Sequence, residues 1–388
     1  MINFDVLCKT GTLNQMTLNE AIDKQFEIVQ KIYENMTAKE FLSAGDFGQA
    51  AHPDGRPMGF GGGRPERTIE VEKVMASLFN TEAALLVLGG GTGAVRTALS
   101  SVLPPGGMLL IHDAPIYKTT EATIKSMGYL TIKIDFNNLE ALDNLKEKPD
   151  AALIQHIPQK PGDNYRLSNI ISALKKHWGD DFPVIVDDNY AVMRARKIGV
   201  ELKADLSAFS FFKLLGPEGI GCIVGKRSFI EKASTMLSSA GCQVQGPTAM
   251  AALRGLVYSP VALALQKQVI EQVANEISEM VKKGEKPWVD FIDQVVPLEV
   301  SHPNVLVLLK KPIASQLLKA SWEIGAAAYS VGEESIYDII PVFTYVSSNF
   351  IKAWPELKEY AIRINPFRSG PETVIDIFRK AIQKISLF

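Results

Sequence analysis

Three clusters in this sequence place reactive side chains and accessible backbone where chemistry can be done. The run Gly89-Gly90-Gly91-Thr92-Gly93 follows an apolar stretch at 83–88 and opens a segment with helical spacing. Glycines at such a turn let backbone N–H groups approach an anion at the helix N-terminus, so a phosphate cradle is one reading. The stretch also satisfies Gly-x-Gly-x-x-Ala through Gly89, Gly91 and Ala94, with Asp113 about where a ribose-binding acid falls. A nicotinamide-dinucleotide turn is therefore a second reading, and a tight turn without a ligand a third. Lys213 stands in Leu206-Ser207-Ala208-Phe209-Ser210-Phe211-Phe212-Lys213-Leu214-Leu215-Gly216-Pro217, where nearly every neighbour is apolar. Desolvation lowers a lysine's pKa and frees the neutral amine that Schiff-base chemistry requires. A lysine whose stem packs while its ammonium reaches water is the alternative. Finally, the apolar run Val184-Ile185-Val186 ends in Asp187 and Asp188, at the C-terminal strand edge where open α/β sheets bind ligands. One acid can hold a heterocyclic cation while the other caps the segment that follows.

A phosphate cradle, a carboxylate for a pyridinium nitrogen and an amine for an aldehyde, in that chain order on successive strand ends, are the groups that pyridoxal phosphate needs. From about Arg64 to the C-terminus the sequence resembles the fold-type-I pyridoxal-phosphate enzymes. Gly91-Thr92-Gly93, Val186-Asp187, Ser210-Phe211-Phe212-Lys213 and Ile362-Arg363-Ile364 carry the resemblance. Ile116-Tyr117-Lys118-Thr119-Thr120 is similar to the tyrosine segment of the cysteine/methionine-metabolism branch. Leu153-Ile154-Gln155-His156 through Arg166-Leu167-Ser168 is similar to the methionine gamma-lyase-like proteins often labelled aluminium resistance proteins. The run Phe209 to Pro217 also resembles the selenocysteine-synthase-like branch.

The resemblance implies roles. Lys213 holds the cofactor aldehyde and then acts as base at Cα, and Asp187 keeps the pyridine nitrogen protonated. Gly91, Thr92, Gly93 and Ser210 anchor the phosphate, Tyr117 stacks on the ring and can serve as an acid, and Arg363 takes the substrate α-carboxylate. The implied activity is carbon–sulfur lysis of an amino acid by β- or γ-elimination. Alternatives are an aminotransferase, a nicotinamide-dependent oxidoreductase, or a non-catalytic pyridoxal-phosphate-binding regulatory homologue. A homodimer or homotetramer is implied as well. Two departures stand out. Phe212 replaces the hydroxyl residue that usually precedes the lysine, and the usual Tyr-x-Arg that reaches a neighbouring subunit's cofactor is missing. Arg64 or Arg67, near Phe60 and Gly63, is left as its replacement.

Taken without the resemblance, Tyr117 could equally be an aromatic packed at a helix start, and Arg363 a strand-end salt bridge. His112 and His156 fall at strand ends on the same edge, as acid-base groups or as structural histidines. No His, Cys or carboxylate cluster has metal-ligand spacing, and Gly-x-Ser-x-Gly is absent.

The elements that must position these residues follow from patterning. Apolar runs at 83–88, 108–112, 130–134, 151–154, 184–186, 208–210 and 220–224 alternate with helical spacing at 95–103, 119–127 and 168–178. That alternation predicts an α/β fold with a mostly parallel sheet of seven strands wrapped by helices. Thr17-Leu18-Asn19-Glu20 has capping-box spacing ahead of Ala21, Ile22, Phe26, Val29, Ile32 and Tyr33, which predicts an N-terminal helix. A helical tract from Ser259 to Lys283 leads to a smaller α+β region with a last helix from Pro371. The expected division is 1–50, an N-terminal helical segment; 51–258, the cofactor domain; and 259–388, the small domain.

With 388 residues, 41 Lys plus Arg against 43 Asp plus Glu, and no basic run, the chain is not expected to bind nucleic acid. Three widely spaced cysteines point to a reducing, cytoplasmic setting. The start lacks a signal-peptide pattern, and no apolar run long enough for a membrane span is evident.

Overall fold

The computed structural model describes residues 13–37, 65–158, 160, 162–298, 304–331 and 334–386. The chain forms two compact units, one of Asn14–Ile157 with Tyr165–Val261, the other built mainly from Ala262–Phe388. The division falls three residues beyond the expected 258/259 boundary, and the N-terminal helix is part of the large unit rather than a segment of its own. In that helix, α1 (Leu18–Asn35), Thr17 Oγ1 accepts the Glu20 N–H at 3.3 Å and Glu20 Oε2 accepts the Thr17 N–H at 2.7 Å. Both halves of the capping box are thus present.

The large unit is built on α2 (Glu66–Leu78), β1 (Ala83–Leu88), α3 (Gly90–Val102), β2 (Met108–His112), α4 (Lys118–Ser126), β3 (Leu130–Ile134), β4 (Ala151–Gln155), α5 (Leu167–Trp178), β5 (Val184–Asp187), β6 (Leu206–Ser210), β7 (Ile220–Gly225) and α6 (Arg227–Ser239). The strands form one seven-stranded sheet in the order β1-β7-β6-β5-β4-β2-β3. β7 runs antiparallel to both neighbours, and the other pairs are parallel. The two-residue period of a strand explains how both faces become core. Leu109, Ile111 and Ile185 pack on one face with Ala98 and Leu99 of α3, whereas Leu110, Val184 and Val186 pack on the other with Ile170, Ile171 and Leu174 of α5. Burial on both faces is why the central strands β4, β5, β6 and β7 read as apolar runs.

Helix α7 (Gly246–Lys282) begins well before the expected Ser259 and carries Pro260 within it. Pro247 stands in the first helical turn, where proline is tolerated. Gly255 is there for a close approach: a Cβ would lie 2.5 Å from the Gly216 amide nitrogen. By length and composition α7 could cross a membrane, contrary to the expectation of no such segment, but more than half of its most apolar stretch is buried in the protein.

In the small unit, β8 (Ile292–Leu298), β9 (Asn304–Leu309), β10 (Val342–Thr344) and β11 (Ala361–Asn365) form an antiparallel sheet in the order β10-β11-β9-β8. It shares a core with α8 (Ala314–Ile324) and α9 (Pro371–Ser386), through Leu317, Leu318, Val374 and Phe378. Sequence patterning misses β8 and β10. β8 is an edge strand interrupted by Pro297 and a bulge at Ile292/Gln294, and β10 is three residues long.

Candidate active site

The C-terminal ends of β1, β2, β5 and β6 converge on one cavity of about 280 Å³ in the large unit. This is near the lower end of the ~300–1,000 Å³ usual for small-ligand sites. Six residues singled out from the sequence line it: Gly91, Thr92, Tyr117, Asp187, Ser210 and Lys213.

The glycine loop is shaped by backbone needs. Gly89 has φ of 93° and caps α3, and its N–H donates to the Gly219 carbonyl at 2.7 Å. Residues at the first three helical positions, Gly90, Gly91 and Thr92, have no acceptor within the helix for their N–H groups. Gly93 does not belong to this cradle, contrary to expectation. Its N–H donates to the Gly89 carbonyl at 2.9 Å, as the fourth helical position must. Glycine is required there because a Cβ would stand 2.0 Å from the Leu88 carbonyl oxygen. Ser210, the last residue of β6, is buried and lines the same cavity.

The two acids that end β5 divide their work. Asp188 is fully buried and structural: Oδ1 lies 2.6 Å from His156 Nδ1, and Oδ2 accepts the Gly199 N–H at 3.1 Å. His156 is thereby tied to the fold. Asp187 lines the cavity, with Oδ1 accepting from the Asn189 N–H at 3.1 Å and from Asn189 Nδ2 at 2.7 Å. Burial pushes the Asp187 carboxyl up from its usual range, while the Asn189 bonds and the Lys213 charge act in the opposite direction.

Lys213 follows β6 in a single 3₁₀ turn, Phe211–Leu214, closed by Leu215 with φ of 58°. Its Nζ lies 3.0 Å from the centroid of the Tyr190 ring, which in turn stacks on Tyr117 with centroids 5.8 Å apart at 28°. Tyr117 caps α4, and Thr119 and Thr120 of that helix also face the cavity. His112 is held inside the fold: its Nδ1 accepts the Phe136 N–H at 3.0 Å and its ring stacks on Phe136.

Arg363 belongs to the small unit. On β11 it lines a small cavity with Asn304, Leu306, Val346, Ser347 and Phe350. Arg67, on α2, pairs with Glu70 at 2.6 Å. Phe60, Gly63 and Arg64 lie outside the described residues.

The chain is 41% identical over 379 residues to the uncharacterized protein YhfS of Escherichia coli strain K12, spanning 97% of its own length and all of that protein's. It belongs to the YhfS family. The YhfS-like C-terminal domain model matches residues 275–378, and the Aminotransferase class-V model matches residues 66–249. The crystal structure of the pyridoxal-5'-phosphate dependent protein YhfS from Escherichia coli superposes with a TM-score of 0.88 at 40% identity, covering 97% of this chain and 99% of that one. Yeast cystathionine gamma-lyase shares the fold at a TM-score of 0.62 and 16% identity, over 86% of this chain and 91% of that one. The chain is thus a member of the fold-type-I pyridoxal-phosphate superfamily.

The cavity's donor set fits that class. A helix N-terminus for an anion, a buried carboxylate for a cationic ring nitrogen, an aromatic side and a primary amine stand around one space. Two neighbours of Asp187 were not identified from the sequence, Asn189 and Tyr190. The spacing of Asp187 and Asn189 is an Asx-turn signal, in which a side-chain carboxylate accepts the backbone N–H two residues on. Tyr190 carries no comparable signal.

Proposed function

We propose that this protein is a pyridoxal-phosphate-dependent carbon–sulfur lyase that acts on an amino acid by β- or γ-elimination. The observation that carries the cofactor assignment is the convergence of Gly91, Thr92, Asp187, Ser210 and Lys213 on one cavity. Bound there, pyridoxal phosphate supplies an aldehyde for the substrate amine and a ring that accepts the electrons released at Cα.

The chain's own residues supply the rest. Backbone N–H groups of Gly91 and Thr92, together with the Ser210 hydroxyl, bind the phosphate at the positive end of α3. Asp187 keeps a proton on the pyridine nitrogen, because an ionised carboxylate beside it favours the cationic form. Lys213 Nζ would hold the cofactor aldehyde and would serve as the base for the substrate Cα proton. Tyr117 orients the ring and donates a proton to the departing sulfur. The Arg363 guanidinium is our candidate for the substrate α-carboxylate, which it can bind with two parallel hydrogen bonds. A cytoplasmic homodimer or homotetramer completes the proposal.

The Tyr117 segment supports elimination, whereas the Aminotransferase class-V match over residues 66–249 supports transamination as a second reading. Incubation with cystathionine, cysteine and methionine separates them. Elimination gives keto acid with ammonia and thiol. Keto acid that forms only with an added keto-acid acceptor makes the protein an aminotransferase. Cofactor binding with no reaction on any amino acid makes it a regulatory homologue.

A further inference from the structure

We propose that Asn189 is the positioning residue that makes Asp187 a partner for the pyridine nitrogen, and that Gly91 is glycine partly to let it do so. The inference rests on the assignment of Asp187 to that nitrogen. Asn189 gives both its backbone N–H and its Nδ2 to the same carboxylate oxygen, Asp187 Oδ1, at 3.1 and 2.7 Å. Among the described residues Asp187 Oδ2 accepts no hydrogen bond, so one carboxylate oxygen is committed to the protein and the other remains for a ligand. Without those two bonds only the Lys213 charge would be left to oppose the burial of Asp187, which favours the neutral acid. A neutral acid there no longer holds a cationic ring.

The amide orientation is set by the same contact. Turning the amide over would put its oxygen against Asp187 Oδ1, acceptor to acceptor. As it stands, the buried Asn189 Oδ1 has no hydrogen-bond partner among the described residues, a desolvation cost accepted so that Nδ2 can face Asp187. The amide lies so close over the glycine loop that a Cβ on Gly91 would meet Asn189 Oδ1 at 1.9 Å and Cγ at 2.6 Å. The loop that cradles an anion and the acid that holds a cation are therefore interlocked through one side chain.

The test is a double-mutant cycle read by the dissociation constant of pyridoxal phosphate, from titration of the visible absorption of the purified protein. Asn189→Ala is expected to weaken binding about 10-fold in the native background and less than about 2-fold in an Asp187→Ala background, since coupled residues are not additive. Asn189→Ser keeps a short donor and is expected to recover most of the loss. Asn189→Asp preserves shape and removes the donor, so it carries the test should the alanine variant fail to fold. Equal losses in both backgrounds, or an unchanged constant for Asn189→Ala and Asn189→Asp, would overturn the inference. Failure of the native protein to bind pyridoxal phosphate at all would instead sink the assignment of the cavity.

Discussion

Asp187 is held at odds with its surroundings: burial favours its neutral form, and Asn189 and Lys213 favour the charged one. A carboxyl whose folded-state pKa is raised binds its proton more tightly when folded. Its charged form therefore lowers stability above the folded-state pKa, and the penalty disappears as the pH falls below the ordinary carboxylate range. Asp187→Asn is accordingly expected to raise the melting temperature of the cofactor-free protein at neutral pH, with a gain that shrinks on acidification. The same substitution should cost at least about 100-fold in turnover, because an unprotonated pyridine is a poor electron sink. A thermal melt at several pH values and a steady-state assay check the two halves. A lower melting temperature at pH 7 or near-native turnover would remove Asp187 from its assigned place. Arg363→Leu should raise KM for α-carboxylate substrates more than 10-fold while leaving cofactor affinity within about 2-fold, as loss of a bidentate carboxylate contact predicts. Equal loss of both would mark it as a structural arginine.

At the scale of elements, the sheet's C-terminal edge does the positioning and its N-terminal edge is clamped. Asp205, just before β6, is buried, and its carboxylate binds Lys175 at 2.6 Å, Lys226 at 2.6 Å and the Val184 N–H at 2.7 Å. This ties β5, β6, α5 and the end of β7 together. Asp205→Ala leaves Lys175 largely buried without its partner and is expected to cost about 3–5 kcal/mol in denaturant unfolding. A loss below about 1 kcal/mol would show that the clamp is idle.

The central strand runs were legible because both faces are buried, and the order of glycine loop, acid and lysine was legible because each falls at a strand end. What patterning could not show is which N–H groups a helix consumes. Gly93 looks like part of a phosphate loop, but as the fourth helical residue it is bonded to Gly89. Nor could composition separate Asp187 from Asp188. Only the fold places His156 and Gly199 beside the second acid. Asn189 could have been read from its Asx spacing, whereas Tyr190 meets Lys213 and Tyr117 only once β2, β5 and β6 are assembled.

At the scale of the whole molecule, exposed large apolar side chains gather in one stretch of the small unit, at Tyr329, Val331, Ile336, Tyr337, Ile339 and Ile340. Buried Ser335 and Asp338 hold that stretch from within, Ser335 Oγ donating to Asp338 Oδ2 at 2.7 Å. Phe26, Val29 and Tyr33 on α1 are exposed as well. Apolar surface of this kind is typical of association sites. Light scattering on the purified protein is expected to give the mass of a homodimer or homotetramer, and a monomer at micromolar concentration would contradict that part of the proposal.

The assignment on which the rest depends is that of Lys213 as the amine that holds pyridoxal phosphate. Borohydride reduction of the cofactor-loaded protein, followed by peptide mapping, tests it directly, since reduction makes the lysine–cofactor bond permanent. The predicted result is a single modified lysine at position 213, and loss of both the label and the visible band in Lys213→Ala. A modified lysine elsewhere, or a reducible adduct that persists in a folded Lys213→Ala protein, would contradict it.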